Sequence, residues 1–209
     1  GITIFSKQAR LRTAHRAVTL IDTPGHVDFA AETERVLPAL DCAVLVISGT
    51  DGVQAHTRTL WRLLRKHQVP VFLFINKMDL PGADRDKLLA QLQKELSESC
   101  VDFTGSEESI REAAAMCDEA LLESFLAGGA VTDENLRQLI AQCRLFPVYF
   151  GAALKSEGID AFLAGLDTYA PENTYGDAFS ARVYKITRDP QGNRLTWMKL
   201  TGGSLSVRE

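Results

Sequence analysis

Asp22-Thr23-Pro24-Gly25-His26 and Asn76-Lys77-Met78-Asp79 each follow an apolar run, Ala-Val-Thr-Leu-Ile in the first case and Val-Pro-Val-Phe-Leu-Phe-Ile in the second. Their chemistries are complementary. Guanine presents a ring N–H beside an exocyclic amine, and one carboxylate accepts both, a task that suits Asp79. A site built on such a carboxylate would bury an unpaired acceptor against adenine, which makes discrimination of about 10⁴ reasonable. Asn76 would brace the base and the neighbouring loops, with the alkyl stem of Lys77 flat along the purine. Asp22 is suited to hold Mg²⁺ through a water, and Gly25 lets its amide approach a terminal phosphate because no side chain intervenes. His26 follows where an attacking water would be oriented. Singly, Asp-x-Pro-Gly is also an ordinary strand-ending turn, Asn-Lys-x-Asp a polar loop and His26 a solvated residue at a helix start. In this order, each after an apolar run and separated by a strand and a helix, they support one another as two walls of a guanine-nucleotide site.

Such groups need strands that end together, because open α/β sheets bind ligands at the carboxyl ends of their strands. The patterning supplies them. Residues 8–13 and 17–22 read as a hairpin, 26–37 as a helix and 42–48 as a strand. Residues 53–67 read as a helix with Leu60, Trp61 and Leu64 on one face, and Asp84 can cap a helix carrying Leu88, Leu92 and Leu96. From 97 to 143 the pattern becomes helical: Ile110, Ala114, Cys117, Leu121 and Phe125 form one stripe, and Thr132 opens another with Leu136 and Ile140. Residues 146–151 read as the last strand of this part, closed by a helix carrying Ile159, Phe162, Leu163, Leu166 and Tyr169. After a linker at 171–177 the period becomes strand-like, with short antiparallel strands at 179–186, 195–200 and 205–207.

These residues resemble the GTP-binding region of translational GTPases of the elongation factor G and tetracycline-resistance ribosomal protection type. Gly1-Ile2-Thr3-Ile4 resembles the end of that family's switch I, Asp22 to His26 the start of switch II and Asn76 to Asp79 its guanine-specificity motif. Gly151-Ala152-Ala153-Leu154 resembles the fifth, base-contacting loop, although Ala152 stands where a serine is usual. The resemblance implies an α/β fold of the P-loop NTPase three-layer type, incomplete, over 1–172 with a short helical insert at about 97–143. It also implies the first strands of a β-barrel domain over 173–209. It gives Thr3 a role in Mg²⁺ and γ-phosphate binding and His26 the positioning of hydrolytic water on the ribosome. The cofactors implied are GTP or GDP and Mg²⁺, the partner is the ribosome and the location is the cytoplasm. The short insert leans towards a ribosomal-protection-like relative.

No G-x-x-x-x-G-K-[ST] phosphate loop occurs in the 209 residues. On the resemblance, the chain starts inside switch I, and the strand, loop and helix that cradle phosphates lie outside it. Losing about four charge-assisted bonds would cost about 6 kcal/mol, or about 10⁴ in affinity. The expectation is a chain that keeps the guanine and Mg²⁺ half-sites but binds GTP poorly and is no useful GTPase. An inactive module that binds the ribosome or serves a structural role is the alternative. A dinucleotide enzyme is disfavoured by the lack of G-x-G-x-x-G after a strand. Unpaired strand edges are expected to favour self-association.

The 45% hydrophobic content supports a sizeable core, and the net charge of −4 argues against non-specific nucleic-acid binding by the whole chain. Arg58, Arg62, Arg65 and Lys66 on one helix are either a solvated face or a local basic surface for RNA. Cys42, Cys100, Cys117 and Cys143 show no metal or disulfide spacing.

Overall fold

The computed structural model describes residues 7–23 and 30–206. In chain order its elements are β1 (Lys7–Arg12), β2 (Ala17–Asp22), α1 (Ala30–Val36), β3 (Ala43–Ser48), α2 (Ala55–Lys66), β4 (Val71–Asn76), α3 (Arg85–Glu95), β5 (Cys100–Asp102), α4 (Glu107–Ala115), α5 (Glu119–Leu126), α6 (Asp133–Ala141), β6 (Phe146–Phe150), α7 (Ile159–Tyr169), β7 (Ser180–Arg188) and β8 (Arg194–Gly202). They divide into two compact units, one comprising 12–17 and 42–171, the other the described residues of 1–11, 18–41 and 172–209.

The larger unit is a parallel sheet in the order β3-β4-β6-β5. Parallel strands covered on both faces read as continuous apolar runs, and the five apolar residues of β4 and all five of β6 are buried. Alternation then assigns the faces. Phe74 and its register partner Tyr149 meet Phe162 of α7, with ring centroids 5.3 and 5.4 Å away. On the other face Phe146 packs edge-on to Trp61 of α2 at 4.7 Å. The result is helix, sheet, helix, the three-layer arrangement expected from the sequence.

The helix ends are set by caps. Gln54 forms a capping box with Thr57, so α2 begins two residues later than the apolar pattern indicated. Asp84 accepts the Lys87 N–H at 3.1 Å and opens α3. Thr132 caps α6, whose Leu136, Leu139 and Ile140 enter the core. The basic row on α2 is partly committed to packing: Arg58 pairs with Glu95, and Arg65 donates to the Cys143 carbonyl while its guanidinium lies 5.0 Å from the Phe146 ring centroid.

Residues 97–143 differ from the sequence expectation in two ways. β5 is a strand inside the stretch read as helical, with Cys100 opposite Phe146 and Asp102 opposite Val148. Its three residues are too few to establish a period. The stripe read as one helix is split, because Asp118 accepts the Leu121 N–H at 2.8 Å and starts α5 anew. Cys100 is buried here, and burial pushes its thiol up to about 12, so it is an inert packing residue.

The turn at 12–17 is clasped to α7 through Asp167. His15 Nδ1 lies 2.7 Å from Asp167 Oδ2, the Thr13 hydroxyl donates to Oδ1, and Arg16 Nε donates to the Asp167 carbonyl at 2.7 Å. The Thr13 hydrogen bond, aided by His15, holds the Asp167 carboxyl below the usual carboxylate range.

In the smaller unit β1 and β2 pair, as do β7 and β8. α1 covers less of the helix expected at 26–37, of which residues 26–29 lie outside the described residues, and a 3₁₀ turn at Leu37–Ala39 follows it. Val36, Leu37 and Ala39 are buried, and Arg182 of β7 donates to the Pro38 carbonyl at 2.8 Å. The β7–β8 ladder matches Ala181 to Leu200 and Val183 to Met198, then shifts at an irregularity before Lys185. Val183, Ile186, Met198 and Leu200 are exposed. Asp41 gathers Lys199, Asn173 and Tyr175. No strand forms at Leu205 and Ser206, and Val207 lies outside the described residues.

Candidate functional site

β4 ends on Asn76 and the chain turns sharply there, because Lys77 has φ of +65°, a left-handed conformation. The Asn76 side chain makes that turn specific. Its Oδ1 accepts the Lys77 N–H at 2.8 Å and the Ala153 N–H at 2.9 Å, tying the loop after β4 to the loop after β6. Two main-chain bonds reinforce the tie: Met78 N donates to the Gly151 carbonyl at 3.1 Å, and Gly151 N to the Ile75 carbonyl at 2.9 Å.

The loop after β6 is as tightly specified. Ala152 and Glu157 form an antiparallel bridge, and the 3₁₀ turn Ala153–Lys155 closes on Ser156 in the left-handed region. Gly151 is required by close approach, since a Cβ there would lie 2.3 Å from the Glu157 carbonyl oxygen and 2.8 Å from Phe74 Cζ. The loop after β3 joins the same cluster. Gly49 N donates to the Asn76 carbonyl at 2.7 Å, and a Cβ on Gly49 would meet Met78 Sδ at 2.8 Å.

Asp79 follows on this platform with its side chain only 17% exposed. Its Oδ2 lies 3.0 Å from the ammonium of Lys155, and that hydrogen bond holds the carboxyl below the usual carboxylate range and raises the lysine pKa in turn. Asp79 is therefore an ionised acceptor at neutral pH. Around it, Ala152 is buried, Ala153 has its amide committed to Asn76, and Leu154 is 99% exposed. The Leu154 amide and Asn76 Nδ2 have no hydrogen-bond partner among the described residues.

Five positions singled out in the sequence, Asn76, Lys77, Asp79, Ala152 and Ala153, thus stand on two loops bonded to each other, with Leu154 beside them. Asp22 is the exposed last residue of β2, in the smaller unit. Thr3, Gly25 and His26 lie outside the described residues. The sequence motifs do not single out Lys155. Its only signal is position, one residue beyond the loop that resembles a base-contacting motif.

A parallel sheet with these loops at the carboxyl ends of its strands is the architecture of a nucleotide-binding α/β domain. The chain belongs to the family described as the elongation factor Tu GTP binding domain, whose profile matches residues 1–172. Over its whole length it is 33% identical to the tetracycline resistance protein TetP of Clostridium perfringens and 35% to TetW of Butyrivibrio fibrisolvens, covering 36% of each. It is 30% identical to elongation factor G 2 of Geobacter metallireducens, with 99% of this chain and 40% of that protein aligned. The chain thus spans little more than a third of the length of these relatives. A crystal structure from Thermus thermophilus has the same fold, with a TM-score of 0.84 over 97% of this chain and 38% of that one, at 24% identity.

Proposed function

We propose that these residues form the base-reading part of a guanine-nucleotide site in a ribosome-associated translation factor that hydrolyses GTP. The observation that carries this reading is the row of polar groups along the two bonded loops. Asp79 offers an ionised carboxylate for the ring N–H and the exocyclic amine of guanine. The unpartnered Leu154 amide is a donor for the base carbonyl, and Asn76 Nδ2 a donor for a ring nitrogen. Ala152 and Ala153 shape the loop that presents these groups, while the Lys77 stem covers the ring. Adenine offers the reverse pattern at the carbonyl position and, with a bare ring nitrogen and a C–H facing the carboxylate, leaves Asp79 unpaired.

In the intact factor, water attacks the γ-phosphate in line, oriented by His26, while the Gly25 amide senses the phosphate and reports it to switch II. A single carboxylate at a strand end, a hydroxyl, waters and phosphate oxygens form the oxygen set that Mg²⁺ takes, so Thr3 and, through water, Asp22 would hold the ion. When bound, it neutralises charge on the phosphate oxygens. The ribosome is the partner, and the cytoplasm the location. The resemblance to ribosomal protection proteins is favoured over that to elongation factor G, since the TetP alignment runs over 234 positions and the elongation factor G 2 alignment over 278. The insert at 97–143 is short in this chain. Strand edges provide a route to self-association, because β3 pairs with β4 alone among the described residues and its Val46 is exposed.

Titration with fluorescent GDP and ADP tests the base reading. GDP should be preferred by orders of magnitude, and Asp79→Ala should abolish the preference; equal binding of both nucleotides would refute it. For the intact factor, His26→Ala should remove ribosome-stimulated GTP hydrolysis while leaving GDP binding in place.

A further inference from the structure

Resting on the guanine reading above, we propose that Lys155 gates the base-reading carboxylate: its ammonium occupies Asp79 in the empty site and is displaced when guanine binds. The geometry carries this. Lys155 Nζ is 3.0 Å from Oδ2, one of the two oxygens that a base offering two adjacent N–H donors must engage together. Asp79 is the fixed member, its side chain 17% exposed on a loop bonded to its neighbours, whereas the Lys155 side chain is 54% exposed at the end of a short 3₁₀ turn. An exposed ammonium loses little on returning to water, and the charge of Glu157 already attracts it, so the released lysine has a second carboxylate close by.

Guanine binding is therefore an exchange. One charged donor leaves Oδ2, and two neutral donors arrive on the carboxylate as a planar pair. The gate keeps the carboxylate ionised and oriented while the site is empty, and it lowers guanine affinity by the strength of the Lys155–Asp79 pair. It also makes base binding sensitive to ionic strength in an unusual direction. Salt screens the internal pair, so it should strengthen binding of an uncharged nucleoside.

The test uses guanosine and adenosine, which carry no phosphate and so report on the base loops alone. Binding is followed by NMR shifts of the chain, of Lys155→Met, which keeps the stem without the charge, and of Lys155→Arg, which keeps the pair. Lys155→Met should tighten guanosine about two- to five-fold, the range of an exposed ion pair, and Lys155→Arg should change it little. Raising NaCl from about 0.05 to about 0.5 M should tighten guanosine for the parent chain and leave Lys155→Met flat. Guanosine shifts that appear only in Lys155→Met would support the gate equally. A preference for guanosine over adenosine in the parent that Lys155→Met leaves unchanged or weakens would overturn the gate and spare the base reading. No discrimination between the nucleosides in any of the three proteins would overturn both.

Discussion

β4 and the β7–β8 hairpin are both regular β-structure, yet they are stabilised by different means. β4 lies between two parallel neighbours with Phe72, Leu73 and Ile75 fully buried, and its order comes from packing on both faces. The hairpin is held by its own ladder, by a turn in which Asp189 accepts from the Asn193 backbone at 2.7 Å and by polar ties from Arg182 to Pro38 and from Lys199 to Asp41, while Val183 and Ile186 are more than half exposed. The difference shows why the base loops can be held to hydrogen-bonding accuracy: they are extensions of strands that cannot shift without disturbing a close-packed core.

Substitutions should separate the two regions by the size of their effects. Phe72→Ala removes a ring from the middle of the sheet and should cost about 3–5 kcal/mol in chemical denaturation. Asn76→Ala deletes both bonds made by its Oδ1 and should cost about 1–3 kcal/mol, with exchange-broadened amide signals confined to residues 76–79 and 151–155. Acid should act through Asp167. Its folded pKa is depressed, so the stabilisation from the Thr13 and His15 contacts is present above the unfolded carboxylate value near 3.8 and is lost as pH falls through the folded value. Asp167→Asn should accordingly lower stability at neutral pH and flatten the acid limb of a pH–stability curve, whereas Val183→Ala in the hairpin, which touches no carboxylate contact, should leave that limb intact. Val183→Ala on the exposed hairpin face should lie within about 0.5 kcal/mol of the parent. A Val183 effect comparable to that of Phe72 would end the distinction between the two regions.

What could be read from the sequence follows the same division. The apolar run before Asn76 announced β4 because burial on both faces leaves a continuous signature, and the motif at its end fell where expected. β5 left no such trace, being three residues long. The break between α4 and α5 escaped because Cys117 and Leu121 keep the apolar spacing in phase across the capping Asp118. Lys155 as the partner of Asp79 was beyond sequence reading for another reason. The two residues are far apart in the chain, and only the pairing of β4 with β6 sets their loops side by side.

In the sheet, Ser48 is level with Asn76, and Ile75 with Phe150. The strands therefore act as a ruler for the three loops above them, and the chain has unequal tolerance for changes of length. One residue added between Val71 and Phe72 would raise Asn76 by about 3.3 Å relative to Gly151 and send Phe72 and Phe74 to the opposite face. One residue added at the exposed Gly128-Gly129 link or the Asp189–Asn193 turn would move neither. Insertions and deletions among natural variants of this chain should collect at those two turns and be absent from residues 71–76.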